Sequence, residues 1–330
     1  MNAEITKVDW LSLHLYLPVT QNSQSWIWQQ LAPVLQQMQQ QGTCQQWFFI
    51  RYWHGGPHLR VRLANVPTAL QQDVQLQLQQ LLLQLKDEPA TSRDDYYRQH
   101  KFDGETLDAA SLPWFGHCTL VKTAYEPEFS RYGGAQSIYH AEQLFCASSR
   151  WVMTQLAQPV LSSQLLTLGW QNMVFSARRL LPQHTDVMAL GKYFANYARF
   201  WQQFEKTPAK VAVAIQQLLD NKGDALASQL QQIWQYQTPS AFDADSTQLW
   251  SQALQQCQAA WLQDINTGVL QMPYLQTQVT AQTSAMALQS LTGSLLHMTN
   301  NRLGIAPAQE YQLALLISTI CQEASVCNSL

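Results

Sequence analysis

The sequence predicts an α+β protein: N-terminal strands forming a mixed sheet with flanking helices, followed by a largely helical C-terminal body. Three observations carry this. Short runs rich in aromatic and β-branched residues, alternating with period two, are confined to the region before about residue 130. From Gly134 onward, apolar residues recur at helical spacing. No Gly/Ser- or Pro-rich linker divides the chain, so residues 1–133 (sheet-containing) and 134–330 (mainly helical) read as two parts of one domain.

VDWLSLHLYLPV, Val8 to Val19, alternates apolar and mixed residues and reads as a strand; His14 inside it stays unassigned. SWIWQQLAPVLQQMQQQG carries helical spacing and stops at Gly42. Two short strands follow, Gln46 to Trp53 and Pro57 to Asn65, with Gly55, Gly56 and Pro57 as turn residues. Helix resumes from Pro67 to Lys86. KDEPATSRDDYYRQHKFDGETLDAASLP is the most densely charged segment and reads as a long loop. WFGHCTLVKTAYEPEF reads as a strand ended by Pro127. IYHAEQLFCASSRWVMTQL, SSQLLTLGWQNMVFSARRLL and DVMALGKYFANYARFWQQF then open the helical part.

Composition excludes several classes. A hydrophobic fraction of 46% with 12 Trp supplies a large core. The formal charge of −3 argues against direct nucleic-acid binding, which calls for a basic face. No apolar run is long enough to span a bilayer, and MNAEITKVDW lacks the basic and apolar regions of a signal peptide, which points to the cytoplasm. Cys44, Cys118, Cys146, Cys257, Cys321 and Cys327 form no CxxC pair, and read as reduced structural thiols; no metal or nucleotide motif emerges. Glutamine fills helix positions where Glu and Lys are usual, at little cost in helix propensity.

Three clusters could carry chemistry. In FFIRYWHGGPHLRVRL, Phe48 to Leu63, strand alternation puts His58, Arg60 and Arg62 on one face and Leu59, Val61 and Leu63 on the other. Charged residues are only 12% of the chain, so two guanidiniums beside a Gly-Gly-Pro turn point to an anion site over a solvated strand face. Arg51 precedes the turn and His54 lies in it. In YEPEFSRYGG, Glu128 and Arg131 are three apart and pair if the segment turns helically, while Gly133 and Gly134 permit close approach. The alternative is an ordinary turn with a surface ion pair. In LLHMTNNRLGI, His297 sits in an apolar helix, as a core residue or a catalyst, and Asn300, Asn301, Arg302 and Gly304 look like the helix end.

Taken together and in this order, the three motifs resemble the thiopeptide-type bacteriocin biosynthesis family, the unit that forms the glutamate-elimination domain of class I lanthipeptide dehydratases. The resemblance covers essentially the whole chain. In two-part dehydratases, one domain transfers glutamate from glutamyl-tRNA onto Ser or Thr of a ribosomally made precursor peptide, and the second expels it, leaving dehydroalanine or dehydrobutyrine. The chain has the size of the second domain, so the resemblance implies a split dehydratase working with a separate tRNA-dependent glutamylation protein. Many members dimerise, which leaves a homodimer open. No cofactor is implied, since glutamate has already activated the hydroxyl.

The family's elimination residues fall on Arg60, Arg62, Glu128, Arg131 and His297. His58, Arg51, Asn301 and Arg302 form a supporting, substrate-binding tier. One departure is visible: after AEQLF many members carry Asp-Ser, where this chain has Ser148-Ser149. The chemistry suits the set. An imidazole can take the α-proton, and guanidiniums can stabilise the enolate oxygen and bind the departing carboxylate, with Glu128 orienting Arg131. Two alternatives stand beside it: a pyridine synthase that joins two dehydroalanines by formal cycloaddition, and a non-catalytic partner that escorts the precursor peptide.

Overall fold

The computed structural model describes residues 8–99, 108–158, 160–183, 186–236 and 239–327. The chain is α+β, as the patterning predicts, and divides into two compact units: Met1–Pro127 with Phe145–Pro159, and Glu128–Leu144 with Val160–Leu330.

The first unit holds the sheet. Its elements run β1 (Trp10–Tyr16), α1 (Gln21–Trp26), a π-helical turn (Ile27–Leu31), α2 (Ala32–Gln40), β2 (Trp47–Tyr52), β3 (His58–Ala64), α3 (Gln71–Leu82), α4 (Arg93–Gln99) and β4 (Leu120–Thr123). The strand order is β2-β3-β1-β4, and every pairing is antiparallel. This corrects the expected mixed sheet. Each helical crossover returns its strand two places away, and the strand between runs the opposite way, so parallel strands never become neighbours. The result is the ferredoxin-like split βαβ arrangement.

Strand alternation decides the faces. Leu11, Leu13, Leu15, Phe49, Leu59, Val61 and Leu63 join Trp26, Leu31, Leu35, Val74 and Leu78 of the helices in one core. The opposite face carries Ser12, His14 and Tyr16 in register with Arg62, Arg60 and His58. The β2–β3 turn needs its glycines: Gly55 and Gly56 have φ of 86° and 112°, and a Cβ on Gly56 would meet Trp114 at 3.2 Å.

The charged segment differs from the loop expected. Residues 93–99 form α4, because Ser92 Oγ accepts from Asp95 N at 3.1 Å, with Asp94 and Asp95 in the first turn and Arg98 in the last. Tyr97 accepts from Gly55 N at 3.0 Å and donates to Pro113 O at 2.9 Å, tying α4 to the turn. Residues 100–107 of that reading lie outside the described residues. The last strand is shorter than expected, since Cys118 takes a left-handed conformation (φ 62°) just before it. From the second half of α5 (Ile138–Gln155), Ser149 Oγ accepts from Phe49 N on edge strand β2 at 3.2 Å. The serine retained at the Ser148-Ser149 departure therefore satisfies a buried backbone donor.

The second unit is helical: the start of α5, then α6 (Ser162–Leu180), α7 (Val187–Trp201), α8 (Pro208–Gln231), α9 (Ala244–Asn266), α10 (Ser284–Leu303) and α11 (Pro307–Cys327). Helices α6 and α10 are buried on most sides, which explains their apolar runs. Close packing depends on small residues: a Cβ on Gly191 would meet Cys321 Cβ at 2.8 Å. The end of α10 falls where the sequence places it. Gly304 has φ of 87°, and Ile305 N donates to Asn300 O at 3.0 Å, closing the helix with the backbone. Among the described residues no helix is long and apolar enough to cross a membrane.

Candidate active site

In the second unit the structure brings two of the three clusters to one helix face. Ser294 and His297 are three apart on α10, hence neighbours on its surface. Arg131 donates from Nε to Ser294 Oγ at 3.2 Å and from Nη1 to Glu128 Oε2 at 3.3 Å. The guanidinium is thus fixed from two sides, one of them Ser294, which lies one turn before His297 on α10. The helical turn foreseen for Glu128–Arg131 is present: Arg131 N and Tyr132 N both donate to Glu128 O. Burial works against the Arg131 charge, but Tyr132, Glu128 and Tyr274 more than offset it, so its pKa is raised.

The glycine pair has a physical cause. Gly133 and Gly134 have φ of 87° and 99°, and Cβ atoms there would meet Leu270 at 2.8 Å and Gln271 at 2.9 Å. Gln271 N donates to Gly133 O and Tyr274 N to Ser130 O, stitching the two segments together. Tyr274, itself left-handed at φ 65°, presents an exposed ring from this strained strip.

His297 is held by residues that its sequence neighbourhood does not announce. Its Nδ1 lies 2.8 Å from Glu310 Oε1, and its ring stacks on Trp201 with centroids 4.5 Å apart at 26°. Glu310 is completely buried, and its other oxygen accepts from Tyr197 at 2.6 Å. Ser294 could have been found by its three-residue offset from His297. Glu310, Tyr197 and Trp201 come from α11 and α7 and carry no such signal. Arg302 is completely buried and donates to Met298 O at 2.9 Å, placing its charge at the carbonyl end of α10. Asn301 is half-buried in the same last turn.

In the first unit, His58, Arg60 and Arg62 share a face as alternation requires, with His14 added from β1. The rings of His14 and His58 stack at 4.7 Å and 28°, and His58 Nδ1 lies 2.9 Å from Gly56 O. Arg62 approaches His14 Nε2 at 3.4 Å and lies over Tyr125, while Arg60 covers the Tyr52 ring at 3.4 Å. Both histidines are held neutral. Burial, then His58, Arg62 and Arg60, lowers His14 to about 3; burial, then Arg60, Arg62 and His54, lowers His58 to about 4 despite the Gly56 bond. Burial and Arg60 bring Arg62 down to about 10. This face offers fixed positive charge to an anion. Arg51 falls on the other face, over Trp28 and donating to Gln24. Among the described residues, no group of three or more His, Cys, Asp or Glu is arranged to hold a metal.

Residues 10–320 match the family described as lantibiotic biosynthesis dehydratase C-term.

The chain belongs to that family.

Among solved structures similar to this lantibiotic dehydratase C-terminal chain is TsrL, at 16% identity and TM-score 0.66, over 97% of this chain and 96% of that one. The pyridine synthase TbtD from thiomuracin biosynthesis is similar at 13% identity and TM-score 0.72, over 96% and 99%. The tRNA-dependent lantibiotic dehydratase MibB from Microbispora sp. 107891 is similar at 18% identity and TM-score 0.52; 97% of this chain covers 28% of MibB. At these identities the likeness is one of fold. No curated protein sequence matches the chain.

Proposed function

We propose that this member of the lantibiotic dehydratase C-terminal family eliminates glutamate from glutamylated Ser or Thr of a ribosomal precursor peptide. The observation that carries the reading is the link through α10: His297, an imidazole anchored by Glu310, lies one turn beyond Ser294, to which the Arg131 guanidinium is bonded. His297 takes the α-proton. The C–H electron pair forms the Cα–Cβ double bond, the Cβ–O bond breaks, and glutamate leaves through its α-carboxylate. The enolate oxygen and the departing carboxylate both call for fixed cations. Arg131, oriented by Glu128, answers this demand in the second unit, and the Arg60 and Arg62 face of the first unit supplies carboxylate-binding charge of its own. His58 supports the arginine face by stacking under His14. The ester itself comes from a separate tRNA-dependent glutamylation protein, and the reaction takes place in the cytoplasm without a cofactor.

A second reading is favoured by one observation, the match to TbtD over almost the full length of both chains. It would have the protein join two dehydroalanines into a pyridine ring. The residues lean toward elimination, since an anion-binding set has less use where no carboxylate departs.

The test is mass spectrometry on a peptide carrying a glutamyl ester on Ser, with wild type, His297→Ala and Arg131→Ala. Release of glutamate by wild type alone supports elimination. An intact ester, followed by ring formation from a peptide with two dehydroalanines, replaces it with cycloaddition. Inertness on both leaves the peptide-escort role.

A further inference from the structure

We infer that Glu310 is the positioning residue for His297: its buried carboxylate, held by the Tyr197 hydroxyl, accepts the Nδ1–H of the imidazole and leaves Nε2 as the proton acceptor. This rests on the reading of His297 as the base. Both carboxylate oxygens are committed, Oε1 to His297 at 2.8 Å and Oε2 to Tyr197 at 2.6 Å. A carboxylate facing one ring nitrogen requires the hydrogen there, so the lone pair of the neutral ring lies on the other nitrogen. Stacking on Trp201 fixes the ring plane, and the bond to Glu310 fixes its rotation within that plane.

The energetics suit a working group better than a structural one. Glu310 is completely buried, and its ion-pair partner among the described residues is His297 itself. Burying a carboxylate is costly unless it is paired. Two features offset the cost: the Tyr197 hydroxyl and the position of Glu310 in the first turn of α11, at the positive end of the helix dipole. The compensation becomes complete when His297 accepts a proton, because the pair then changes from one buried negative charge to a neutral zwitterion. The proton that arrives on Nε2 therefore enters a ring already held through its other nitrogen by a carboxylate.

The test uses the full chain with Glu310→Gln and Tyr197→Phe. Long-range nitrogen–proton NMR reads the His297 tautomer, and kcat and KM are measured on the glutamylated peptide. Wild type should show the Nδ1-protonated ring. In Glu310→Gln the carboxamide can donate to Nδ1 and shift the proton to Nε2; kcat should fall about 10²–10⁴-fold, with KM nearly unchanged. Tyr197→Phe keeps the charge and should lose about ten- to 100-fold, the worth of one hydrogen bond to a charged group. An Nε2-protonated wild-type ring, or a Glu310→Gln variant with wild-type kcat, overturns the inference. Should Glu310→Gln fail to fold, the wild-type tautomer and Tyr197→Phe decide it. A wild type that releases no glutamate sinks the elimination reading instead, while the NMR result still decides what Glu310 does to His297.

Discussion

Arg131 donates from Nε to Ser294 Oγ at 3.2 Å, and this bond, rather than the ion pair with Glu128, ties the arginine to the helix that carries His297. Ser294→Ala removes it. We expect about 1 kcal/mol lower stability by urea denaturation and roughly ten-fold slower elimination. Ser294→Thr keeps a hydroxyl and should recover most of the rate. Equal rates for the alanine and threonine variants would show that the bond does not orient Arg131.

Glu128 is half exposed, so the same logic assigns it a small energetic part. Glu128→Gln should change stability by less than about 1 kcal/mol. Arg131→Lys should be far worse for turnover, on the order of 10²-fold, because a single ammonium cannot satisfy Ser294 and Glu128 together from a rigid fork. Parallel measurement of melting and glutamate release separates the two effects. A lysine variant as active as wild type would contradict the assignment.

Gly133→Ala should destabilise the second unit by about 2 kcal/mol, because it combines a positive φ with a clash against Leu270. Gly116 has neither feature, and nothing lies within 4 Å of a Cβ there, so Gly116→Ala is the matched control. Thermal melts of the two variants give the comparison; equal midpoints would refute the steric account.

The His14–His58 stack gives the stability a pH dependence of known sign. Both groups titrate lower in the folded chain, about 3 and about 4, than the usual 6.5. The unfolded chain therefore binds more protons between these values, and stability is full above about pH 6.5 and falls as the pH drops toward 4. For His58 alone the loss is on the order of 3 kcal/mol. Urea midpoints from pH 7.5 to 4.5 should decline, and His58→Gln should flatten the decline. A slope unchanged by that substitution would place the acid sensitivity elsewhere.

Strand faces, the β2–β3 turn, the Gly304 helix end and the α+β class were legible because each depends on local spacing. Period two in His58–Leu63 separates arginines from leucines in any sheet, and a glycine ending an apolar helix has one common meaning. The short helix α4 was missed because its capping serine and charged first turn sit in a segment whose composition resembles a loop. The antiparallel order was missed because neighbour choice in a sheet is not a property of any one strand.

The site divides along the same line. Residue types and spacing marked the clusters that hold Arg60, Arg62, Glu128, Arg131 and His297 and paired Glu128 with Arg131 across one turn, and the family resemblance made those five one candidate set. Only the tertiary structure supplied Ser294 as the anchor of Arg131, Glu310 and Trp201 as the supports of His297, and His14 as the partner of His58. Arg131 and Ser294 are 163 residues apart in the chain, and His14 and Arg62 are 48 apart. Contacts at such separations are chosen by how helices and strands pack to bury their apolar faces, so no local pattern in the sequence encodes them.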